Sequence, residues 1–563
     1  MTNFQTQRRP HTASLLAAIA GLAVLSLLVF LIACGSDETP TQSAAPTVPP
    51  AAAPTSTAVP AVTEATPASE DAAAPTPTDA AADSATEDTQ ASGGWLRIGA
   101  LGGATDTFNP FFATSLADYI GFWAVYDTLA WLVGSEVELG LAESVTPNED
   151  GSEWTIVLKE ATFHDGSPVR PEDVAYSFST FADPQMAPFM AQFFFNVDTE
   201  NISITDDRTL VVPLRSPQGD FLERTLATMS LVVPEGSTGG PDAIGSGPFK
   251  LETYEAGKGM RMVRNEDYWG GPPPLLDGME VVVINDANAR LNALKGGEIE
   301  FAAGITPTAA RAEANNPDIV LLPAGVANST AHSFAANTQI PPFDNPDVVR
   351  ALKLAVDREA LVNTVLLGFG DVGNDIVGKG LPGYNDSLPQ VERNVEEARR
   401  LFEAAGVTDL TMLTGEVVPG TLAAAELLVQ QLAEVGVTLT LDEIPADQYY
   451  ADFMLLLSTP LQSAYWTNRP AATHASMMTG SNGTFNLSGI AGEEYDAILG
   501  ALVAEVDTKR RNQLGLDVQA YLHQNDGMVV WAFQEDINAA VPNLDGVTYS
   551  QSAPRFHQAS LAE

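Results

Sequence analysis

Cysteine and basic side chains are the residues that this sequence has least of. Its 563 residues include one Cys, and 27 Lys and Arg stand against 72 Asp and Glu, for a formal net charge of −45. A single Cys excludes an internal disulfide and any structural zinc site built on cysteines. So acidic a chain lacks the basic face that phosphate binding requires, which excludes nucleic acid as its main partner.

Histidine is also scarce. The six His residues show no HxxxH or HxH spacing, so we expect no metal site and no other cofactor. The hydrolase motifs HExxH and GxSxG are missing as well, and the one Cys lies near the N-terminus. We therefore expect no enzymatic activity, with a secreted hydrolase as the least favoured alternative.

The N-terminus has the pattern of an export signal. Arg8 and Arg9 precede an apolar run over residues 15–33, which is a basic region followed by a hydrophobic one. The run ends in Leu31–Cys34, which resembles the bacterial lipobox, in which the chain is cut before the Cys and the thiol is acylated. An uncleaved membrane anchor is the alternative, because about 19 apolar residues can just span a bilayer. Either way, the rest of the chain is exported and tethered.

These features divide the first 94 residues into two parts. Residues 1–33 are predicted to be a lipoprotein signal peptide, with lipidation at Cys34. Residues 34–94 are rich in Ala, Pro and Thr, carry nine acidic residues and have no Lys or Arg. Such a segment buries too little apolar surface to fold, so it is predicted to be a disordered stalk.

Helix and strand patterns interleave from Trp95 onward. Helix caps and breakers bound the helices, and runs of β-branched and aromatic residues mark the strands. The predicted strands are 95–100, 154–158, 281–284, 437–441 and 528–533. The predicted helices begin at Pro171 and cover 287–295, 346–367, 395–405, 422–435 and 509–523. This alternation indicates an α/β fold with mixed sheets.

Several motifs in this region resemble one protein family. They are Leu141–Ser144, Glu149–Gly151, Trp154–Lys159, Phe163–Gly166, Pro171–Val174, Gly245–Phe249, Arg264–Gly271, Asp286–Leu291, Pro342–Arg350 and Ala355–Glu359. Their types and order resemble family 5 of the bacterial extracellular solute-binding proteins, the peptide-, opine- and nickel-binding receptors of ABC importers. The resemblance covers nearly all of residues 95–540. Most of these motif residues are predicted to be structural, as in the Asp165-Gly166 turn.

The resemblance implies a two-lobe periplasmic-binding-protein-like fold with a hinge. Lobe one is predicted at 95–330 plus 530–563, with a subdomain inserted at about 130–240, and lobe two at 331–529. The family's role implies a small-molecule or oligopeptide ligand, an ABC permease with its ATPase as partners, and a monomer outside the cytoplasm, lipid-anchored to the cell membrane. A ligand-binding surface sensor or chaperone that is not coupled to import is the alternative.

The resemblance also implies ligand contacts in two places. The first lies between Asn109 and Asp127, and the second follows an aromatic pair in lobe two. The candidate ligand-binding residues are Phe112, Thr114, Ser115, Leu116, Tyr465, Trp466, Asn468, Arg469, Phe485 and Asn486.

One departure from the family bears on the ligand. Peptide-binding members typically carry an aspartate in the second place that pairs with the ligand's α-amine, whereas residues 468–473 contain no carboxylate. Arg469 can instead bind a carboxylate through two hydrogen bonds. We therefore expect a ligand anchored by a carboxylate or another anionic group, or a largely neutral one; whether it is a peptide, a nickel chelate or a sugar stays open.

The lipobox interpretation predicts the outcome of one substitution. Cys34→Ala should leave the precursor unprocessed or release the protein from the lipoprotein fraction, because no other thiol is available for acylation. Metabolic labelling with palmitate should vanish in this variant. Equal labelling of the wild type and the variant would show that the interpretation is wrong.

Overall fold

The computed structural model describes residues 93–562 except 113–114, 188–189, 243, 451 and 551. The predicted signal peptide, Cys34 and nearly all of the stalk lie outside these residues. Within the described part of the chain, no helix is both long and apolar enough to cross a membrane.

One mixed sheet combines strands from the beginning and the end of the described chain. Its strand Trp95–Ala100 pairs in parallel with Gly278–Val283 on one side and Phe301–Ala302 on the other. Leu96 and Ile98 are fully buried in the core beneath it. In spatial order the seven strands are Val320–Pro323, Ile537–Ala540, Phe301–Ala302, Trp95–Ala100, Gly278–Val283, Gly259–Arg264 and Phe249–Glu255.

A second mixed sheet has its own core. Ser329–Ala336 runs antiparallel to both of its neighbours. Asp409–Thr414 instead runs parallel to both of its neighbours, Thr438–Glu443 and Leu461–Thr467. Helices pack on this sheet around the buried Trp531 and Phe402. In spatial order its six strands are Asp371–Val372, Met528–Glu535, Ser329–Ala336, Leu461–Thr467, Asp409–Thr414 and Thr438–Glu443.

A smaller antiparallel sheet lies within the range predicted for the inserted subdomain. Its four strands, in spatial order, are Ala142–Pro147, Glu153–Leu158, Thr209–Pro213 and Ser203–Asp206. The described two-stranded pairs are Ala130–Val133 with Glu136–Leu139, Leu544–Asp545 with Ser560–Leu561, and Thr548–Ser550 with Ala553–Arg555. The domain boundaries themselves stay predictions.

The helices alternate with these strands along the chain. The described α-helices are Leu116–Val125, Pro171–Ala182, Ala191–Phe194, Ala227–Met229, Ala287–Lys295, Pro307–Glu313, Pro346–Ala355, Arg358–Val365, Val395–Ala405, Thr421–Glu434, Ala446–Tyr449, Phe453–Leu457, Ala471–Met478, Glu493–Ala504 and Thr508–Asn525. The predicted α/β class with mixed sheets is confirmed.

Two short crossovers join the two large sheets. Residues 324–328 lead from Val320–Pro323 to Ser329–Ala336, and Asp536 alone leads from Met528–Glu535 to Ile537–Ala540. The Ala324 N–H donates to the Asp536 carbonyl oxygen at 2.9 Å, so the two crossovers are hydrogen-bonded to each other. Each sheet with its helices forms one lobe of the predicted two-lobe fold.

One predicted helix is wrong. The pattern predicts a single helix over 346–367, but the structure has two helices, Pro346–Ala355 and Arg358–Val365. The break occurs because Asp357 is extended and its side chain accepts a hydrogen bond from the Ala360 N–H, which caps the second helix.

A family motif supplies part of the lobe-one core. The buried carboxylate of Asp127 accepts hydrogen bonds from the Trp269 indole at 2.8 Å and the Tyr268 hydroxyl at 3.2 Å. Burial raises the pKa of Asp127 to about 6. A Cβ on the nearby Gly245 would come within 1.8 Å of the Val125 carbonyl oxygen, which explains the glycine there. These motif residues are therefore structural.

The first residue of the second helix, Arg358, forms a buried ion pair. Arg358 Nη2 lies 2.6 Å from Asp375 Oδ1, with the two side chains 2% and 0% exposed. Arg358 Nη1 also donates to the carbonyl oxygens of Lys353 and Val391. This guanidinium therefore joins three separate segments of lobe two.

Arg358→Leu should lower the free energy of unfolding by about 3–5 kcal/mol, because it leaves the Asp375 carboxylate buried without its closest partner. Urea unfolding followed by circular dichroism measures this. The matched control is Arg400→Leu, whose pair with Glu397 has side chains 61% and 29% exposed. Its effect should stay below about 1 kcal/mol. Equal effects of the two substitutions would contradict the structural role of Arg358.

Candidate functional site

A cavity of about 370 Å³ is lined by side chains from both lobes. Its volume lies at the lower end of the range for small-ligand sites, which is about 300–1,000 Å³. Its wall combines aromatic and thioether side chains with a few polar and charged groups. The lining residues are Ser115, Leu116, Tyr119, Trp123, Met190, Phe193, Thr228, Met229, Gly304, Thr467, Arg469, Asp536, Asn538, Ser552 and Ala553.

The helix Leu116–Val125 provides one wall. Its N-cap residue Ser115 accepts a hydrogen bond from the Asp118 N–H, and the Ser115 hydroxyl donates to Asp106 Oδ2 at 2.8 Å. Ser115, Tyr119 and Trp123 recur every four residues, so they lie on one face of this helix. The cap thus fixes the end of the helix whose aromatic face lines the cavity.

Arg469 provides the cation of the opposite wall. It follows the strand Leu461–Thr467 of lobe two, and its guanidinium carbon lies 5.9 Å from the centre of the Phe193 ring. Among the described residues, which do not include 113–114, 188–189 and 551, no side chain forms an ion pair or hydrogen bond with this guanidinium. Burial, with a smaller contribution from Arg224, lowers the pKa of Arg469 to about 10. Arg469 is therefore charged at neutral pH, and no carboxylate of the described residues forms an ion pair with it.

The crossover between the sheets provides an acid. Asp536 is exposed towards the cavity, and desolvation raises its pKa to about 6, partly opposed by a hydrogen bond with Ser552. Two residues later, buried Asn538 accepts a hydrogen bond from the Gly304 N–H at 3.0 Å through Oδ1. This bond holds the loop after Phe301–Ala302 against the strand that follows the crossover.

Three of the predicted ligand-binding residues line this cavity, namely Ser115, Leu116 and Arg469. Thr114 lies outside the described residues. Phe112 ends a short 3-10 helix, is 39% exposed and does not line the cavity.

The two predicted asparagines have their amides engaged by the backbone. Asn468 accepts from the Gly378 N–H at 2.9 Å and donates to the carbonyl oxygens of Val326 and Lys379, both at 2.8 Å. Asn486 donates to the carbonyl oxygens of Gly480 and Ile490. Both side chains therefore brace loops in this structure.

The three predicted aromatic residues of lobe two each pack on another aromatic ring. The Trp466 ring lies 6.4 Å from Phe485, which in turn lies 5.2 Å from Phe453. Tyr465 lies 5.9 Å from Tyr450. None of the three lines the cavity described above.

Most residues of the lobe-one wall were not predicted from the sequence. Tyr119 and Trp123 follow Ser115 at helical spacing, which is a signal that was available in the sequence. Asp536 lies three residues after the predicted apolar strand 528–533, a position that is also visible in the sequence. Met190, Phe193 and Met229 come from short helices with no motif, and only the fold brings them to the cavity.

The comparisons with known proteins agree with this architecture. The family model described as bacterial extracellular solute-binding proteins, family 5, matches residues 136–487. The chain belongs to this family. It is a solute-binding protein, and the resemblance stated from its motifs is confirmed.

Its relatives bind different solutes. The heme-binding protein A of Haemophilus influenzae is 24% identical over 457 residues, which cover 74% of this chain and 82% of that protein. The glutathione-binding protein of Salmonella typhimurium is 23% identical over 472 residues, 79% of this chain and 90% of that protein.

Solved structures confirm the two-lobe fold. HbpA2 from Haemophilus parasuis has a TM-score of 0.74 at 23% identity, covering 84% of this chain and all of that one. The periplasmic binding protein DppA from Helicobacter pylori, in complex with the peptide STSA, has a TM-score of 0.68 at 22% identity, covering 85% of this chain and all of that one. The family and these neighbours are binding proteins and not enzymes.

Neighbouring residues 468 and 469 should respond to substitution in opposite ways. Asn468→Ala should lower the free energy of unfolding by about 1–3 kcal/mol, because it leaves buried backbone groups without partners. Arg469→Met should not lower it, and should raise it by about 0.5–1 kcal/mol in the ligand-free protein, because an unpaired cation is removed from the cavity wall.

Urea unfolding of the two variants beside the wild type measures both effects. Asn468→Asp serves as a control, since it keeps the acceptor for the Gly378 N–H but loses the donor to two carbonyl oxygens. A loss of stability in Arg469→Met comparable to that in Asn468→Ala would show that Arg469 has a structural role.

Proposed function

We propose that this solute-binding protein is an extracytoplasmic lipoprotein that captures a small solute between its lobes and delivers it to an ABC-type permease. The observation that carries the proposal is the cavity lined from both lobes, with Arg469 on its wall and no described side chain in an ion pair with it. An arginine without an ion-pair partner on a cavity wall is suited to a ligand that supplies the opposite charge.

The chemistry of the cavity favours a solute with a carboxylate or another anionic group. Arg469 offers a planar fork of N–H donors that matches a carboxylate in two hydrogen bonds. The relatives named above bind heme, glutathione and a peptide, so membership of the family leaves the solute open. The cavity volume of about 370 Å³ favours a small solute over a long peptide.

This proposal gives each part of the chain a role. The acylated Cys34 anchors the protein, the stalk spaces it from the membrane, and the lobes bind without catalysing a reaction. The two crossovers, at 324–328 and at Asp536, act as the hinge.

Ligand binding should close the lobes and stabilise the protein. Native mass spectrometry of the purified protein identifies a retained solute, and the binding of that solute to the protein is then tested. Small-angle scattering should then show a smaller radius of gyration, because the ligand contacts both lobes. At a ligand concentration of 100 Kd, the free energy of unfolding should rise by about 2.7 kcal/mol. A ligand that binds without either change would contradict closure on the solute.

A further inference from the structure

The two lobes also touch at a place that is remote from the crossovers along the chain. On the lobe-one side, this place is the segment 218–224, whose Phe221 is buried in the lobe-one core with its ring 5.5 Å from that of Trp154. On the lobe-two side, it consists of three helices, Ala471–Met478, Glu493–Ala504 and Thr508–Asn525. This region is the Gly219 contact.

The peptide backbone of Gly219 is bonded to lobe two on both sides. Its N–H donates to the Val503 carbonyl oxygen at 2.7 Å, and its own carbonyl oxygen accepts from Arg511 Nη1 at 2.8 Å. A Cβ at position 219 would lie 1.9 Å from the Glu505 carbonyl oxygen. Because any side chain here would push the two backbones apart, the close approach of the lobes requires a glycine.

A buried ion pair lies beside this backbone. Arg511 of lobe two pairs with Glu223 of lobe one, and the two side chains are 4% and 14% exposed. The same guanidinium donates to the Glu505 carbonyl oxygen at 3.1 Å, so it joins the lobe-one segment to the end of a lobe-two helix. Parting the lobes here would break this ion pair together with both hydrogen bonds of Gly219.

The helix Ala471–Met478 adds further bonds between the lobes. The Thr473 hydroxyl donates to Asp220 Oδ2 at 3.0 Å, and Arg224 Nη1 donates to the Ser476 hydroxyl oxygen at 3.2 Å. Two methionines of this helix are buried in the lobe-one core, Met477 and Met478. None of the residues that form these bonds lines the cavity described above, so the Gly219 contact is made by the protein alone.

A second fixed point limits how the lobes can move. The crossovers at 324–328 and at Asp536 are hydrogen-bonded to each other and act as one point, about which the lobes could swing in several directions. Two fixed points, in contrast, define a single axis.

We propose that the Gly219 contact persists in the ligand-free protein as a second, noncovalent connection, and that the lobes rotate about the line joining it to the crossovers. This inference rests on the hinge motion of the proposed function. It makes Gly219 and Arg511 positioning residues, which direct the closure of the cavity from outside its lining.

Hydrogen exchange of the full mature chain, dialysed free of solute and followed by mass spectrometry, tests whether the contact persists. The Gly219 N–H should exchange at least about 100-fold more slowly than in an unstructured peptide, because its release requires a buried ion pair to separate. Exchange at the unstructured rate would show that the contact opens with the lobes, and would overturn the proposal.

Two variants break the contact from opposite sides. Gly219→Ala inserts a Cβ against Glu505 at a backbone φ outside the left-handed region, and Arg511→Gln removes the ion pair. Each should speed exchange of the residue 219 amide about 10- to 100-fold. Small-angle scattering should show a larger radius of gyration than in the wild type, because the lobes are then joined only at the crossovers.

The matched controls are Gly500→Ala and Arg510→Gln. A Cβ on Gly500 meets no atom within 4 Å, and the pair of Arg510 with Glu505 lies within lobe two, with the arginine side chain 76% exposed. Both controls should keep the wild-type exchange at Gly219 and the wild-type radius of gyration.

Exchange in Trp95–Ala100 and Ser329–Ala336 distinguishes a broken contact from an unfolded lobe, since it should stay unchanged in every variant. If Arg511→Gln speeds exchange there as well, Gly219→Ala decides, because it leaves all side-chain bonds of the contact available. Wild-type exchange and radius of gyration in Gly219→Ala would overturn the proposal, and the proposed function would stand. If solute binding also fails to move the lobes, the hinge of the proposed function fails too.

Discussion

The hydrogen-bonded pair of crossovers is the constraint on which the rest of the structure depends. One crossover is five residues long and the other is a single residue, so the chain connects the two large sheets through six residues in all. The bond between Ala324 and the Asp536 carbonyl oxygen keeps both connections together. Because Asp536 lines the cavity, the cavity wall includes part of the connection between the two sheets.

In so acidic a chain, the ion-pair partner of each buried arginine is worth comparing. With 27 basic residues against 72 acidic ones, a buried arginine has many carboxylates available as partners. Arg358 has such a partner, and Arg290 instead donates to the carbonyl oxygens of Ile284 and Asn285. Among the described residues, Arg469 and Arg555 have neither, and each guanidinium instead lies near an aromatic ring, that of Phe193 or Trp131. Of these two, Arg469 lines the cavity.

The sequence allowed the family, the α/β class and most element positions to be predicted, because these depend on local patterns such as caps and strand runs. It also singled out Arg469, since bases are rare and the expected carboxylate is missing there. The different roles of Asn468 and Arg469 could not be predicted from the sequence. The fold shows that the Asn468 amide is hydrogen-bonded to the backbone of Gly378 and Lys379. The place of Asp536 on the cavity wall could not be predicted, because it depends on the topology, which brings a residue 67 positions beyond Arg469 to the same cavity.

The strand order of the seven-stranded sheet sets a limit on how the chain acquires its structure during synthesis. Ile537–Ala540 lies between Phe301–Ala302 and Val320–Pro323, and Asn538 donates to the Leu322 carbonyl oxygen across a separation of 216 residues. Until that last strand has been made, Val320–Pro323 has no neighbour in this sheet. Pairings of such long range slow folding, so lobe one cannot be completed before residues 537–540 have been synthesised. The seven-stranded sheet therefore stays incomplete throughout the synthesis of the six-stranded one.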